Sequence, residues 1–99
     1  MPLTALPTPA ALIDEARLMH NIHHMQQRLQ SLGVRLRPHV KTAKCLAVAE
    51  RQRAAGAVGI TVSTLKEAEV FFEAGERDIL YAVGIAPGKL EAVRALRER

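Results

Sequence analysis

The sequence predicts an α/β fold in which short parallel strands alternate with helices. Three observations indicate this class: apolar residues recur at helical spacing in some segments, short and nearly continuous apolar runs lie between them, and glycines follow the helical segments. Strands that are buried on both faces of a parallel sheet have such continuous apolar runs. The 99 residues are enough for one small domain.

The first predicted helix begins after Asp14, a favourable N-cap, and ends before Gly33. Apolar residues repeat along it every three or four positions, which predicts four to five turns with one buried face. The residues of this face are Leu18, Ile22, Met25, Leu29 and Leu32.

The rest of the chain repeats a strand followed by a helix. Strands are predicted over 34–41, 59–63 and 78–83, and helices over 44–55, over 64–74 and from Pro87 onward. Thr64 and Glu67 have the spacing of a capping box at the start of the second of these helices. Three such units can begin either a barrel or a doubly wound sheet, and a complete (β/α)₈ barrel needs about 250 residues. The sheet is therefore expected to remain open.

Composition argues against several classes of function. The net charge of +4 comes from basic residues scattered among acidic ones, and aromatic residues make up 3% of the chain, so neither a basic stripe nor base-stacking platforms are present. No nucleic-acid partner is expected. No apolar run approaches the roughly 20 residues that span a bilayer, and the N-terminus lacks a signal-peptide pattern. Cys45 has no second cysteine to pair with, which suits a reducing compartment, and the expected location is the cytoplasm.

The hexapeptide 37–42, Arg-Pro-His-Val-Lys-Thr, is the most informative motif for function. Side chains alternate along a strand, so Arg37, His39 and Lys41 are expected on one face and Pro38 and Val40 on the other. Desolvation and cationic neighbours both favour the neutral amine of a lysine, and a neutral amine attacks carbonyl carbons. The alternative from spacing alone is an ordinary solvated lysine at a strand end.

Other candidate sites are weaker. His20 and His24 share a helix face, but two ligands do not complete a zinc site and no His-Glu-x-x-His pattern is present. Residues 84–90 lack the spacing and the Ser or Thr of a phosphate-binding loop. Cys45 is interpreted as a small core residue rather than a reactive thiol.

The chain resembles the start of the D-threonine aldolase and D-serine dehydratase group, over about residues 8–83. The matching segments are Pro9-Ala10-Ala11-Leu12-Ile13-Asp14, Asn21-Ile22, Leu36-Arg37-Pro38-His39-Val40-Lys41-Thr42, Gly59-Ile60-Thr61-Val62 and Leu65-Lys66-Glu67-Ala68-Glu69. The resemblance implies a pyridoxal-phosphate enzyme with the barrel of the alanine racemase N-terminal domain. Residues 1–99 would then be the N-terminal portion of that barrel, a partial TIM-type barrel that is not closed.

In this group the lysine that matches Lys41 carries pyridoxal 5'-phosphate as a Schiff base, and the resemblance implies that His39 and Arg37 lie beside the cofactor. It implies a small D-amino acid as substrate. The leading expectation is retro-aldol cleavage of D-3-hydroxy amino acids to glycine and an aldehyde. D-Serine dehydratase or racemase activity, or a non-catalytic α/β fragment, are the alternatives, and Ala43, where many relatives have histidine, leaves the choice open.

The resemblance also implies a divalent metal, held by a C-terminal β domain that these 99 residues do not contain. No metal ligand is therefore assigned in this chain. The sequence is expected to be an N-terminal fragment with little activity alone, and the full-length form is expected to be a possible homodimer.

Overall fold

Two short parallel strands with helices against one face form the centre of the structure, a computed structural model that describes residues 2–99. The α-helices and strands follow one another as α1 (Glu15–Ser31), α2 (Leu46–Ala54), β1 (Ile60–Val62), α3 (Leu65–Glu73), β2 (Ile79–Tyr81) and α4 (Leu90–Arg97). Short 3₁₀ helices cover Leu3–Ala5 and Pro87–Lys89. The predicted α/β alternation is confirmed.

The sheet is parallel, with Thr61 of β1 opposite Leu80 of β2. The predicted strand over 34–41 is much shorter than expected, because only His39 forms a bridge, also parallel, with Thr61. Around this bridge the Thr61 amide donates to the Pro38 carbonyl at 2.8 Å, and the Val40 amide donates to the Thr61 carbonyl at 3.0 Å. Pro38 has no N–H to extend the ladder. Segment 34–41, β1 and β2 therefore lie side by side with one direction, and the sheet does not close.

Local sequence signals account for the helix ends. The Asp14 carboxylate accepts the Arg17 amide proton at 3.0 Å, which confirms the predicted N-cap of α1. The capping box of α3 is also confirmed, since the Glu67 amide donates to Thr64 Oγ1 at 3.0 Å and that hydroxyl donates to the Glu67 carboxylate at 2.8 Å. Helix α2 begins two residues later than predicted because Lys44 has a φ of 47°, which is outside the helical region.

The core lies between the sheet and the helices. Val62 is fully buried, and it clusters with the buried residues Val40, Ala49, Ile60, Ala68 and Phe71. These side chains come from segment 34–41, α2, β1 and α3. The predicted aliphatic core is therefore present, with one phenylalanine added.

On the opposite face of the sheet, none of the helices within residues 2–99 is packed. Ile79 and Tyr81 of β2 pack against the core, whereas Leu80 between them is 50% exposed. His39 and Thr61 alternate with core residues in the same way and share the face of Leu80. We call this surface, formed by His39, Thr61 and Leu80, the uncovered face; Thr61 at its centre is only 9% exposed, whereas Leu80 at its edge is open to solvent.

The buried face of α1 is rotated relative to the prediction. Ile22 is buried as expected, but Gln26 is 6% exposed while Met25 is 50% exposed. Gln26 lies four residues after Ile22 and packs over Gly56, where a Cβ would be 2.8 Å from Gln26 Nε2. The absent side chain of Gly56 thus makes room for a polar residue on the inner face of α1.

None of the helices within residues 2–99 combines the length and the apolar character needed to cross a bilayer.

Candidate functional site

Lys41 is the last residue of the 34–41 segment and lies in a turn formed by residues 40–43. The Lys44 amide closes this turn by donating to the Val40 carbonyl at 2.8 Å. The bridge between His39 and Thr61 places Lys41 level with Ser63, at the carboxyl ends of the strands. The Lys41 side chain is exposed, so its amine is open to a ligand.

His39 is half-buried and lies two residues before Lys41 on the uncovered face. Its Nδ1 accepts the backbone N–H of Lys41 at 3.2 Å. An imidazole nitrogen that accepts a hydrogen bond carries no proton, which leaves Nε2 as the ring nitrogen available to a ligand. His39 therefore both supports the turn and presents a polar group beside Lys41.

Arg37 forms an ion pair with Asp78 near the amino end of the 34–41 segment. Its guanidinium forms a fork on the Asp78 carboxylate, with Nη2 donating to Oδ2 at 2.9 Å, and Nη1 also donates to the Asp78 carbonyl at 3.2 Å. The hydrogen bond from Arg37 holds the pKa of Asp78 below its usual value, and the bond to Asp78 raises the pKa of Arg37. Asp78 directly precedes β2, so this ion pair lies at the amino ends of the strands.

The structure thus brings His39 and Lys41 together and separates Arg37 from them. Arg37 and Lys41 are four residues apart in an extended segment, a separation of about 13 Å. The expectation that Arg37 contacts a cofactor stays a prediction, and its observed partner is a local carboxylate.

A buried carboxylate lies close to the Lys41 turn and was not singled out as a site residue from the sequence. Glu67 is 8% exposed, and its carboxylate accepts Ser63 Oγ at 3.1 Å and Thr64 Oγ1 at 2.8 Å. Burial opposes ionisation of Glu67, but these hydrogen bonds and the positive charge of Lys44 outweigh it and lower the pKa of the Glu67 carboxyl. The capping-box pattern was visible in the sequence, whereas the burial and the nearby Lys44 depend on the tertiary fold.

The other candidate residues form no further site. The His20 and His24 rings stack with centroids 6.1 Å apart on the exposed surface of α1. In the part of the chain that the structure describes, no three His, Cys, Asp or Glu side chains are grouped to hold a metal ion. Cys45 is half-buried at the N-cap position of α2.

An exposed primary amine next to an imidazole can form a covalent bond to a carbonyl carbon and keep the product in contact with a second polar group. The carboxyl ends of parallel strands are also where α/β barrels carry their active sites. The residues at this end of the sheet therefore fit an aldehyde cofactor, because Lys41 is accessible and His39 Nε2 is free to contact it.

Comparison with known proteins connects this arrangement to one family. The profile of the family described as alanine racemase, N-terminal domain, matches residues 13–98. The chain is 63% identical over 97 residues to D-threo-3-hydroxyaspartate dehydratase of Delftia sp. (strain HT23), covering 98% of this chain and 26% of that protein. It is 40% identical over 91 residues to D-serine dehydratase of Dictyostelium discoideum, covering 87% of this chain and 23% of that protein.

Solved structures agree with these matches. The structure of the Delftia dehydratase superposes with a TM-score of 0.93 over 96% of this chain and 25% of the other. D-threonine aldolase from Filomicrobium marinum, 40% identical, superposes with a TM-score of 0.86 over 98% of this chain and 26% of the other. The chain spans about a quarter of the length of the relatives it matches.

Proposed function

Because the chain belongs to the alanine racemase N-terminal domain family, we propose that it forms the first part of the barrel of a pyridoxal-phosphate enzyme acting on D-3-hydroxy amino acids. One observation carries the proposal: Lys41 is exposed at the carboxyl ends of the parallel strands, with the His39 imidazole beside it. The relatives named above act on D-3-hydroxyaspartate, D-serine and D-threonine, which all have a hydroxyl group on Cβ.

In this proposal Lys41 is the residue that would hold pyridoxal phosphate, because its exposed Nζ could condense with the aldehyde group with loss of water. Bound pyridoxal phosphate supplies an electron-withdrawing ring that stabilises negative charge on the substrate. The Lys41 amine, when not bonded to the cofactor, would serve as a base next to the substrate. His39 Nε2 would contact the cofactor, while Nδ1 accepts the Lys41 amide and keeps the turn in place.

The proposed contact between Arg37 and the cofactor competes with a purely structural role for Arg37. Substituting Arg37→Met removes both the guanidinium and its ion pair, whereas Asp78→Asn removes the ion pair alone. Both substitutions should destabilise the fold to a similar extent, because both remove the ion pair. If Arg37 contacts the cofactor, Arg37→Met should in addition weaken cofactor binding, and Asp78→Asn should not. Equal cofactor affinities of the two variants would mean that Arg37 acts only through its ion pair with Asp78.

We place dehydration ahead of aldol cleavage as the reaction. The chain is 63% identical to a dehydratase and 40% identical to an aldolase over nearly its full length, which supports this order over the one expected from the family resemblance in the sequence. Dehydration of 3-hydroxyaspartate yields oxaloacetate and ammonia, whereas retro-aldol cleavage yields glycine and glyoxylate.

The family resemblance also implies a divalent metal. We propose that its ligands are residues of the full-length protein that are not among these 99.

A chimera tests the proposal directly. Residues 1–99 would replace the matching quarter of the Delftia dehydratase, and the product would be assayed with D-threo-3-hydroxyaspartate, pyridoxal phosphate and a divalent metal. We expect oxaloacetate and ammonia in equal amounts, and loss of turnover in the same chimera carrying Lys41→Ala.

Two outcomes would contradict the proposal. A folded chimera without activity would indicate that this chain is a non-catalytic relative, and a chimera that remains active with Lys41→Ala would remove Lys41 from the mechanism. Glycine and glyoxylate as the main products would instead reverse the order of the two reactions.

A further inference from the structure

A buried carboxylate that accepts no hydrogen bond lies between α2 and α3. It belongs to Glu76, which follows the end of α3 and is 8% exposed. Among residues 2–99 no group donates a hydrogen bond to its side chain. Its ion-pair partner, the half-exposed Arg53, has Nη1 3.7 Å from Glu76 Oε2, which is beyond hydrogen-bond distance. Buried carboxylates usually accept several hydrogen bonds, so the acceptor capacity of Glu76 is largely unused.

A cavity of about 330 Å³ opens beside Glu76, in the groove between α2 and α3. Its apolar wall consists of Leu46 and Ala49 of α2 and of Phe71 and Ala74 beside them. Leu46 is 45% exposed, so part of this wall is available to a ligand. The Glu76 carboxylate is open to the cavity and is not sealed in the core. The volume is at the lower end of the range of small-molecule pockets.

The charges around this cavity favour a cation. Glu50 lines it from α2, and no Lys, Arg or His nitrogen lies within 4.0 Å of the Glu50 carboxylate in the described residues 2–99. The lining therefore carries two negative charges, on Glu50 and Glu76, and one positive charge, on Arg53. Arg53 and Ala74 also lie at the C-terminal ends of α2 and α3, and helix C-termini carry partial negative charge.

We propose that the groove between α2 and α3 binds a primary ammonium ion that carries a short aliphatic chain. The ammonium group has three N–H donors, which supply the hydrogen bonds that the Glu76 carboxylate lacks. The aliphatic chain packs along Leu46 and Phe71. A metal ion fits poorly, because no three His, Cys, Asp or Glu side chains are grouped around one position within residues 2–99.

The inference goes beyond the proposed function and does not depend on it. Glu76 is two residues before Asp78, at the amino ends of the strands, whereas Lys41 lies at their carboxyl ends. A ligand in this groove therefore needs neither Lys41 nor pyridoxal phosphate.

Titration of the 99-residue chain with n-butylammonium chloride tests the inference, with the amide chemical shifts of residues 71–76 followed by NMR at pH 7. n-Butanol is the matched probe, because it has the same aliphatic chain without the charge. We expect saturable shifts with butylammonium, and binding of butanol that is weaker by about tenfold, the scale of one hydrogen bond to a charged group.

Three substitutions separate ligand binding from the ion pair between α2 and α3. Glu76→Gln removes the carboxylate and should weaken butylammonium binding by about tenfold. Arg53→Gln breaks the same ion pair but removes the competing positive charge, so it should tighten binding by about threefold. Glu67→Gln is the matched control and should leave the affinity unchanged, because Glu67 is also 8% exposed but is bonded to Ser63 and Thr64.

Three results would overturn the inference. Equal affinities for butanol and butylammonium would mean that water satisfies the Glu76 carboxylate and that the groove binds only apolar chains. Weaker binding in Arg53→Gln would mean that the ion pair keeps the groove in shape and that Glu76 does not recognise the ligand. An equal loss in Glu67→Gln would attribute binding to the overall charge. The butanol comparison and Arg53→Gln decide the question even where Glu76→Gln is too unstable to titrate.

Discussion

At the scale of single residues, the polar side chains of the 37–42 motif belong to different ends of the sheet. Arg37 binds Asp78 at the amino ends of the strands, and Lys41 extends from the carboxyl ends with His39 beside it. The prediction that Lys41 is the cofactor lysine therefore depends on the position of Lys41 itself and on His39 beside it. Arg37 fastens the 34–41 segment to the residue before β2.

The Arg37–Asp78 pair predicts a specific acid dependence. The pKa of Asp78 is lowered in the folded chain, so the pair stabilises the fold above the unfolded carboxyl pKa of about 3.9 and this stabilisation is lost as the pH falls through the lower folded value. Asp78→Asn should lower the melting temperature at pH 7 and flatten its decline below about pH 5. Thermal unfolding followed by circular dichroism from pH 7 to pH 3 measures both effects.

Glu98→Gln is a suitable control because Glu98, the residue after α4, pairs with Arg94 on an exposed surface. It should change the melting temperature little at any pH. If Asp78→Asn and the wild type decline in parallel with pH, the ion pair does not contribute to the stability of the fold.

The sequence permitted a prediction of which side chains share a face, but not of their partners. Alternation along an extended segment follows from local geometry, and Val40 is indeed in the core. Asp78 lies 41 residues after Arg37, and no local pattern connects the two. The burial of Glu67 could not be predicted for the same reason, because it depends on how α3 packs in the folded chain.

At the scale of elements, helix ends were predictable and strand lengths were not. Asp14 and Thr64 cap their helices through contacts three residues away, which the sequence displays directly. The strand over 34–41 depends on pairing with β1, and Pro38 limits that pairing to a single bridge. Helix α2 is short because the Lys44 conformation precedes it.

Gly59 fixes how closely the segments pack at the amino ends of the strands. A Cβ at this position would overlap the Asp78 carbonyl oxygen and lie 2.6 Å from Arg37 Nη1. Gly59→Ala should therefore destabilise the fold by about 1–3 kcal/mol through overpacking against backbone. Urea unfolding measures the difference.

Gly84→Ala is the matched control, because a Cβ there meets no atom within 4 Å. We expect a change within about 0.5 kcal/mol for this substitution. Equal stability of Gly59→Ala and the wild type would mean that the strands tolerate a wider separation at this end than the structure indicates.

At the scale of the whole molecule, the chain is more open than a closed domain of its length. Its radius of gyration is 15.9 Å, whereas about 13 Å is typical of a 100-residue domain. Its accessible surface of 7398 Å² exceeds the roughly 5,500 Å² expected for a folded monomer of 10.8 kDa. Alternating strands and helices could be predicted from the sequence, while the extent of the uncovered face could be measured only in the structure.

The uncovered face predicts self-association of the 99-residue chain. Leu80 is 50% exposed on a strand whose outer edge is unpaired within residues 2–99, and both features favour contacts between copies. Leu80→Lys should shift sedimentation velocity profiles toward the monomer at high protein concentration. Leu3→Lys changes a residue that is 70% exposed away from the sheet, and it should have no such effect. Identical profiles for the wild type and Leu80→Lys would exclude this face as the contact.

The most direct test of the account is to incubate the chain with pyridoxal phosphate, reduce it with borohydride and map the modified lysines by peptide mass analysis, with Lys41→Ala as control. The chain has four lysines, at positions 41, 44, 66 and 89. We predict modification concentrated at Lys41 in the wild type, and only weak, evenly distributed modification of the other three in Lys41→Ala. Equal modification of all four lysines in the wild type would contradict the assignment of Lys41 as the cofactor lysine.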